Sequence, residues 1–324
     1  MSLTAGEALS AFRFVKLDST ADQVKYADYG DGAIGVVEEA VDSGDQAPVK
    51  RLHASASIKV EAACPLIYGD YLWPTTDGKA IPVGPGEPVA RAIDASAAAG
   101  DVIEAIPVPG ILEEVIDVHD NGAKVDASTT DDAALWVRDQ VDTDSDNGDT
   151  IVCLESAGGG QVKLTTNDNA SDMEQVQLNA EPFKLATYPL WMHCRIAQAA
   201  VDDDTLMFGL FIADATISAG VTDGLYFENG GDGDLDYVLE KDDSETQADT
   251  AVNMSNDAFV DCDMYFDGTN VRIFVDGAYI ASPAVTNLPD DEHLAPAISL
   301  ANGSAAASSV TWDDVHVRQI AGNA

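Results

Sequence analysis

The chain has 324 residues, 46% of them hydrophobic, which is enough apolar material for two packed cores and excludes a disordered polymer. Sixteen Lys+Arg stand against 57 Asp+Glu, a net charge of −41. That balance excludes nucleic-acid phosphate and anionic membrane as general partners, because both demand clustered cations, and it suits a hydrated surface in a salty medium.

The opening MSLTAGEALSAFRF lacks the basic segment and continuous apolar core of a secretory signal. No later run reaches the ~18 apolar residues of a membrane span, so the expectation is a protein made and used without standard secretion. A faint internal repeat follows. One copy runs from Ala5 to Leu52 and the other from Ala62 to Val108; each reads as a short strand, a turn, an Ala/Gly-rich run, a Gly-Asp turn and a strand. Gly35-Val36-Val37 with Gly44-Asp45 corresponds to Ala90-Arg91-Ala92 with Gly100-Asp101. Short strands punctuated this densely predict an all-β barrel or sandwich. VVEEAVDSG and RAIDASAAAG each tolerate a turn of helix, but neither is long enough to stand alone.

Residues 111–134 read as a strand, an Asn-Gly turn and a polar connector. Residues 1–110 carry a net −8 and the rest −33, a shift that places a boundary here, with domains at 1–118 and 119–324. From Leu135 the pattern is again β, about a dozen strands over ~190 residues, as a two-sheet sandwich requires. DMYFDGTNVRIFVDGAYI alternates Met264, Phe266, Val271, Ile273, Val275 and Tyr279 with polar partners across two turns, predicting a three-strand meander with one buried face.

The four cysteines (Cys64, Cys153, Cys194, Cys262) form no CxxC pair and have no histidine at zinc spacing, so they read as buried thiols. Asp142–Asp149 has carboxylates at alternate positions, but Gly148 and Cys153 stand where a calcium loop needs other residues. That run, Val201–Asp204 and Asp232–Asp236 read as solvated loops ahead of metal sites. Asp236 and Glu240 share one face of a strand, yet no E-x-D-x-E pattern of a glycosidase accompanies them. His53, His119, His193, His293 and His316 have no nucleophile elbow, and Gly158-Gly159-Gly160 reads as a turn between strands. Trp191, Trp312, Tyr226, Tyr237 and Tyr265 suit either core packing, which is commoner, or a sugar-stacking groove. No catalytic, cofactor-binding or metal residue is assigned, and no cofactor is expected.

The arrangement AGEALSAFRFVKLD, GAIGVVEEAVDSGDQAPVKRL, GDYLWPTTDGKAIPV and VARAIDASAAAGDVIEAIPV resembles the capsid decoration, or cement, proteins of tailed bacteriophages over the first third of the chain. The resemblance implies a small β-barrel, a homotrimer seated on the outside of the head, and the major capsid protein as partner. It also implies a virion component made in the host cytoplasm. FKLATYPLWMHCRIAQ, TLMFGLFIAD, DGTNVRIFVDGAYI and SVTWDDVHVRQI are similar to concanavalin A-like (laminin G-like) jelly-roll sandwiches. That fold hosts lectins, glycosidases and inert modules alike, so glycans stand as a further partner class. The combined expectation is a non-enzymatic decoration protein carrying a lectin-like domain; a carbohydrate-binding adhesin is the alternative.

Overall fold

The computed structural model describes residues 3–52, 56–108, 114–120, 136–141, 150–156, 159–170, 172–185, 188–214 and 216–320. The chain divides into two compact units, Met1–Glu113 with Asp276–Tyr279, and Glu114–Val275 with Ile280–Ala324. Both are all-β, as expected, and the second also holds 3₁₀ turns at Ile217–Ala219 and Val285–Asn287.

The first unit holds two five-stranded sheets. One contains β1 (Thr4–Ala5), β2 (Arg13–Leu17), β3 (Gln23–Tyr26), β4 (Gly35–Val37) and β5 (Val49–Arg51), in the order β1-β3-β2-β4-β5. The other contains β6 (Ile58–Glu61), β7 (Tyr71–Pro74), β8 (Ala80–Ile81), β9 (Ala90–Ala92) and β10 (Val102–Pro107), in the order β6-β10-β9-β7-β8. The repeat read from sequence is built twice. Ala5 donates to the Asp45 carbonyl and accepts from the Gly44 amide, both at 2.8 Å; Ala62 does the same with Asp101 and Gly100, also at 2.8 Å. These bonds join the start of each copy to the segment entering its last paired strand, so each sheet curls closed as a small barrel. The bridge Leu9–Val41 recurs as Leu66–Ser96, and the parallel β1–β3 pair recurs as the bridge Ala62–Ala80. Left-handed backbone falls at matching places: Phe12 and Gly69, Gly30 and Gly86, Gly44 and Gly100.

Apolar side chains from alternate positions fill the first barrel, with Leu3, Leu9, Val15, Val24 and Val37 buried together. The two sheets are stitched by backbone, Phe14 donating to the Gly78 carbonyl at 2.6 Å and Glu61 to the Phe12 carbonyl at 2.8 Å. Gly78 has φ +69°, and a Cβ there would lie 2.3 Å from the Phe14 carbonyl oxygen, so only glycine fits. Neither segment considered for a helical turn is helical; the Ala/Gly runs become β4, β9 and tight turns, because pairing offers each backbone group a partner that one isolated helical turn does not.

The second unit is a two-sheet sandwich of jelly-roll type. Its strands are β11 (Glu114–Asp120), β12 (Trp136–Val141), β13 (Thr150–Ser156), β14 (Gly159–Thr165), β15 (Met173–Leu178), β16 (Leu190–Gln198), β17 (Thr205–Phe211) and β18 (Gly224–Gly230). They continue with β19 (Asp234–Lys241), β20 (Ser244–Asn253), β21 (Val260–Phe266), β22 (Val271–Val275), β23 (Ala278–Ala281), β24 (Ala295–Ala301) and β25 (Ser309–Ile320). One sheet runs β13-β14-β25-β16-β21-β22-β23 with β11 also on β25; the other runs β12-β15-β24-β17-β18-β19-β20. The predicted meander is β21-β22-β23. Met264, Phe266, Val271, Ile273 and Val275 all enter the core, opposite Phe208, Phe227 and Leu300 of the other sheet, whereas Tyr279, expected on the same face, is only half-buried.

A register shift between Arg195 and Ile196 against β25 puts Trp312, Val315 and Val317 on the inner face despite their irregular spacing. One ion pair faces this core: the Arg138 guanidinium donates to both carboxylate oxygens of Glu174, at 2.5 and 2.6 Å, and the Glu174 side chain has no exposed surface. On the outer side of the seven-stranded sheet, Met207, Phe211, Ile217, Val221, Tyr226 and Val238 form a second small core under the segment between β17 and β18.

Candidate functional site

The five rings considered for a sugar groove are all buried. Trp312 and Tyr237 belong to the main core and Tyr226 to the small outer one. Trp191 is 3% exposed: its Nε1 donates to Asp263 Oδ1 at 2.8 Å, it packs against His193 and His316, and the Arg318 guanidinium lies over it. Tyr265 sits beneath Arg272, which is held by Asp267 at 2.7 Å. The groove reading is therefore corrected. Strand alternation placed these rings on both sheet faces, and burial took them all.

His193 lies in that polar layer, Nδ1 3.1 Å from Asp263. Burial alone would lower its pKa, but the Asp263 charge and hydrogen bond, with Asp314 and Asp261, raise it overall. His293 is exposed, His119 lies opposite His316 in register, and His53 is outside the described residues. Asp142–Asp149 and Gly158 also lie outside them. Among the described residues, no group of three or more His, Cys, Asp or Glu is placed to hold a metal ion. Cys64, Cys194 and Cys262 are buried thiols, as read, and burial pushes the Cys194 thiol well above its ordinary value.

Asp236 and Glu240 share the outer face of β19, as their spacing predicted. The register adds what sequence spacing could not. Glu228 on β18 stands opposite Asp236, while Asp249 and Glu245 on β20 stand opposite Asp236 and Glu240. Tyr226 donates to Glu240 at 2.9 Å and Gln247 to Asp236 at 2.7 Å. Partial burial, followed by the neighbouring carboxylates, raises the pKa of Glu228; burial also dominates for Asp236 and Glu240, where it outweighs those hydrogen bonds. Burial and Glu240 raise Tyr226 as well. The result is an acidic strip with protonatable members. Its carboxylates are cross-strand neighbours on one sheet face.

The first unit offers a different surface. Leu17 is 57% exposed and Tyr68 72%, with Ile67, Val102 and Ile106 also exposed. Leu17 lines a groove of about 600 Å³ together with apolar Leu3, Ile34 and Leu52 and charged Asp18, Asp22 and Arg51. On the second sheet, Val102, Glu104 and Ile106 alternate outward along β10, beside Arg91, whose guanidinium donates to the Gly69 carbonyl at 3.0 Å and lies over Tyr71. Exposed apolar and aromatic side chains around an arginine have the composition of a protein interface.

These features define a two-unit all-β protein with an apolar-surfaced small unit and an acidic jelly-roll sandwich. No family model and no curated protein matches the chain. Among solved structures it is similar to a Shewanella oneidensis MR-1 protein of unknown function at 11% identity and TM-score 0.46, over 64% of this chain and 88% of that one. A glycoside hydrolase family 16 enzyme of Bacteroides ovatus matches at 10% identity and TM-score 0.45, over 62% and 99%. The N base of the head fiber gp8.5 of bacteriophage phi29 matches at 22% identity and TM-score 0.31, over 35% of this chain and 96% of that one. At these scores no activity or partner passes from them to this chain.

Proposed function

We propose that this chain is a decoration protein of a tailed-bacteriophage head, non-catalytic, whose small unit docks as a homotrimer on the outer surface of the shell against the major capsid protein. The observation that carries the reading is where exposed apolar surface falls. Five of the eight large apolar side chains found exposed among the described residues lie in the small unit, although it is about a third of the chain. That unit is also the less acidic part, so it approaches another protein at lower electrostatic cost. The duplicated barrel doubles the contacts each chain can make, and a trimer multiplies them again, so modest patches add up to firm attachment. The acidic sandwich, with its aromatic rings withdrawn into cores, keeps decorated particles apart rather than gripping a glycan.

The test is add-back to phage heads lacking the protein. The wild-type chain is expected to co-sediment with heads and raise their resistance to heat and osmotic shock, while Leu17→Asp and Tyr68→Asp chains that fold normally bind at least ~10-fold more weakly, as loss of a buried anchor implies. Undecorated heads that neither bind the chain nor gain resistance would sink the proposal. Hydrolysis of a polysaccharide, lost in Asp236→Asn and Glu240→Gln, would replace it with an enzyme.

A further inference from the structure

The two barrels of the small unit are joined head to tail, and the joint leaves one surface of each kind unused. A row of outward side chains crosses each barrel in register: Phe14, Val36 and Lys50 on β2, β4 and β5 of the first, Tyr71, Arg91 and Ile106 on β7, β9 and β10 of the second. Alternation turns Phe14 and Val36 away from the first barrel's interior, which Val15 and Val37 fill, yet they are 0% and 2% exposed. The second barrel lies against that row. Phe14 donates to its Gly78 carbonyl, its Glu61 amide donates to the Phe12 carbonyl, and its Glu61 carboxylate pairs with Arg13 at 2.8 Å. Phe12 and Val36 share a crevice with Ile58 and Lys59 of β6.

The covering face of the second barrel is thus β6 with the turn between β7 and β8. Its counterpart on the first barrel is Leu3 and Thr4 with the turn between β2 and β3, because Ala5 corresponds to Ala62 and the pair Leu17–Val24 to Pro74–Ala80. The left-handed residue of the turn recurs too, Asp22 (φ +60°) for Gly78 (φ +69°). That counterpart is the open groove lined by Leu3, Leu17, Asp18 and Asp22. The counterpart of the covered row is open as well: Tyr71 and Arg91 are half-buried, Ile106 is exposed, and Tyr68, just before Tyr71 in sequence, is exposed most of all.

We propose that these two surfaces bind each other between copies of this chain: the ridge of Tyr68, Tyr71, Arg91 and Ile106 on one copy docks in the Leu17 groove of the next, repeating between molecules the joint found within each. A second copy is the occupant because the chain already pairs these two kinds of surface once, and because the charges are complementary, Arg91 on the ridge against Asp18 and Asp22 in the groove. Asp22 carries a side chain where Gly78 leaves room for backbone, so the second joint is made by side chains rather than main-chain bonds. Two different surfaces make a heterologous contact, which repeats until its rotation closes a ring. Three copies give a ring of six barrels; this number alone rests on the homotrimer of the proposed function.

The test needs no phage heads. Sedimentation velocity of the full chain at ~0.15 M salt, where charge is screened beyond ~8 Å, is expected to show self-association. Leu17→Asp and Tyr68→Asp are each expected to weaken it at least ~10-fold with the melting temperature unchanged, as loss of an interface anchor implies. Val152→Asp, which puts the same charge on the sandwich, is expected to associate as wild type does. Mixing the first two variants separates this joint from a symmetric one. Leu17→Asp keeps its ridge and Tyr68→Asp its groove, so together they are expected to form a dimer with one chain of each. A wild-type chain that stays monomeric at every concentration, association lost equally in Val152→Asp, or two variants that do not pair on mixing would overturn the proposal. Attachment to heads is read separately: a chain that associates in this way but does not co-sediment with heads keeps the joint and loses the decoration role.

Discussion

Single residues in this protein often act through backbone conformation. Gly44 and Gly100 have φ of +91° and +93°, with open space where a Cβ would go. Alanine at either position therefore pays only the left-handed penalty, about 1–2 kcal/mol. Gly78→Ala adds a collision with the Phe14 backbone and is expected to destabilise more than either, measurable by denaturant titration of the three variants side by side. Asp242 and Asp243, with φ of 51° and 59°, form the turn between β19 and β20 that asparagine-glycine would fill with less strain. Trp191 tests burial against recognition. Trp191→Ala is expected to cost about 3–5 kcal/mol of stability, and glycan arrays are expected to be blank for wild type and variant alike.

Elements show where charge opposes folding. The raised pKa values of Glu228, Asp236 and Glu240 mean that the folded chain holds protons the unfolded chain has already released. These groups therefore cost stability as pH rises from the ordinary carboxylate range through their raised values, and acidification back through that range recovers it. Glu228→Gln, which removes the charge opposite Asp236, is expected to stabilise by up to about 1 kcal/mol at neutral pH, a rise of about 2–4 °C in melting temperature. Arg138 and Glu174 make the opposite case. Glu174→Ala leaves a guanidinium facing the core and is expected to cost about 3–5 kcal/mol.

Strand alternation made much of this readable from sequence. The meander, the barrel repeat and the shared face of Asp236 and Glu240 follow from period two and glycine turns. The partners of that face, and the inward position of Trp312, depend on register and on a bulge, which a linear pattern does not encode.

For the whole molecule the net charge of −41 sets the conditions of stability. Raising ionic strength from ~0.01 M to ~0.15 M shortens the screening length from ~30 Å to ~8 Å, and the melting temperature is expected to climb over that range. A flat response would show that the acids are spaced widely enough not to repel.

The twin barrels carry one more consequence. Two tandem segments that form the same ladder are prone to trade strands while the chain is collapsing, a known hazard of repetitive proteins. Only a handful of positions still match between them, such as Gly44-Asp45 with Gly100-Asp101, while the strands themselves differ: GVV in β4 against ARA in β9. Divergence between the halves thus guards against misthreading, and making them more alike is expected to lower refolding yield without lowering the stability of whatever folds correctly.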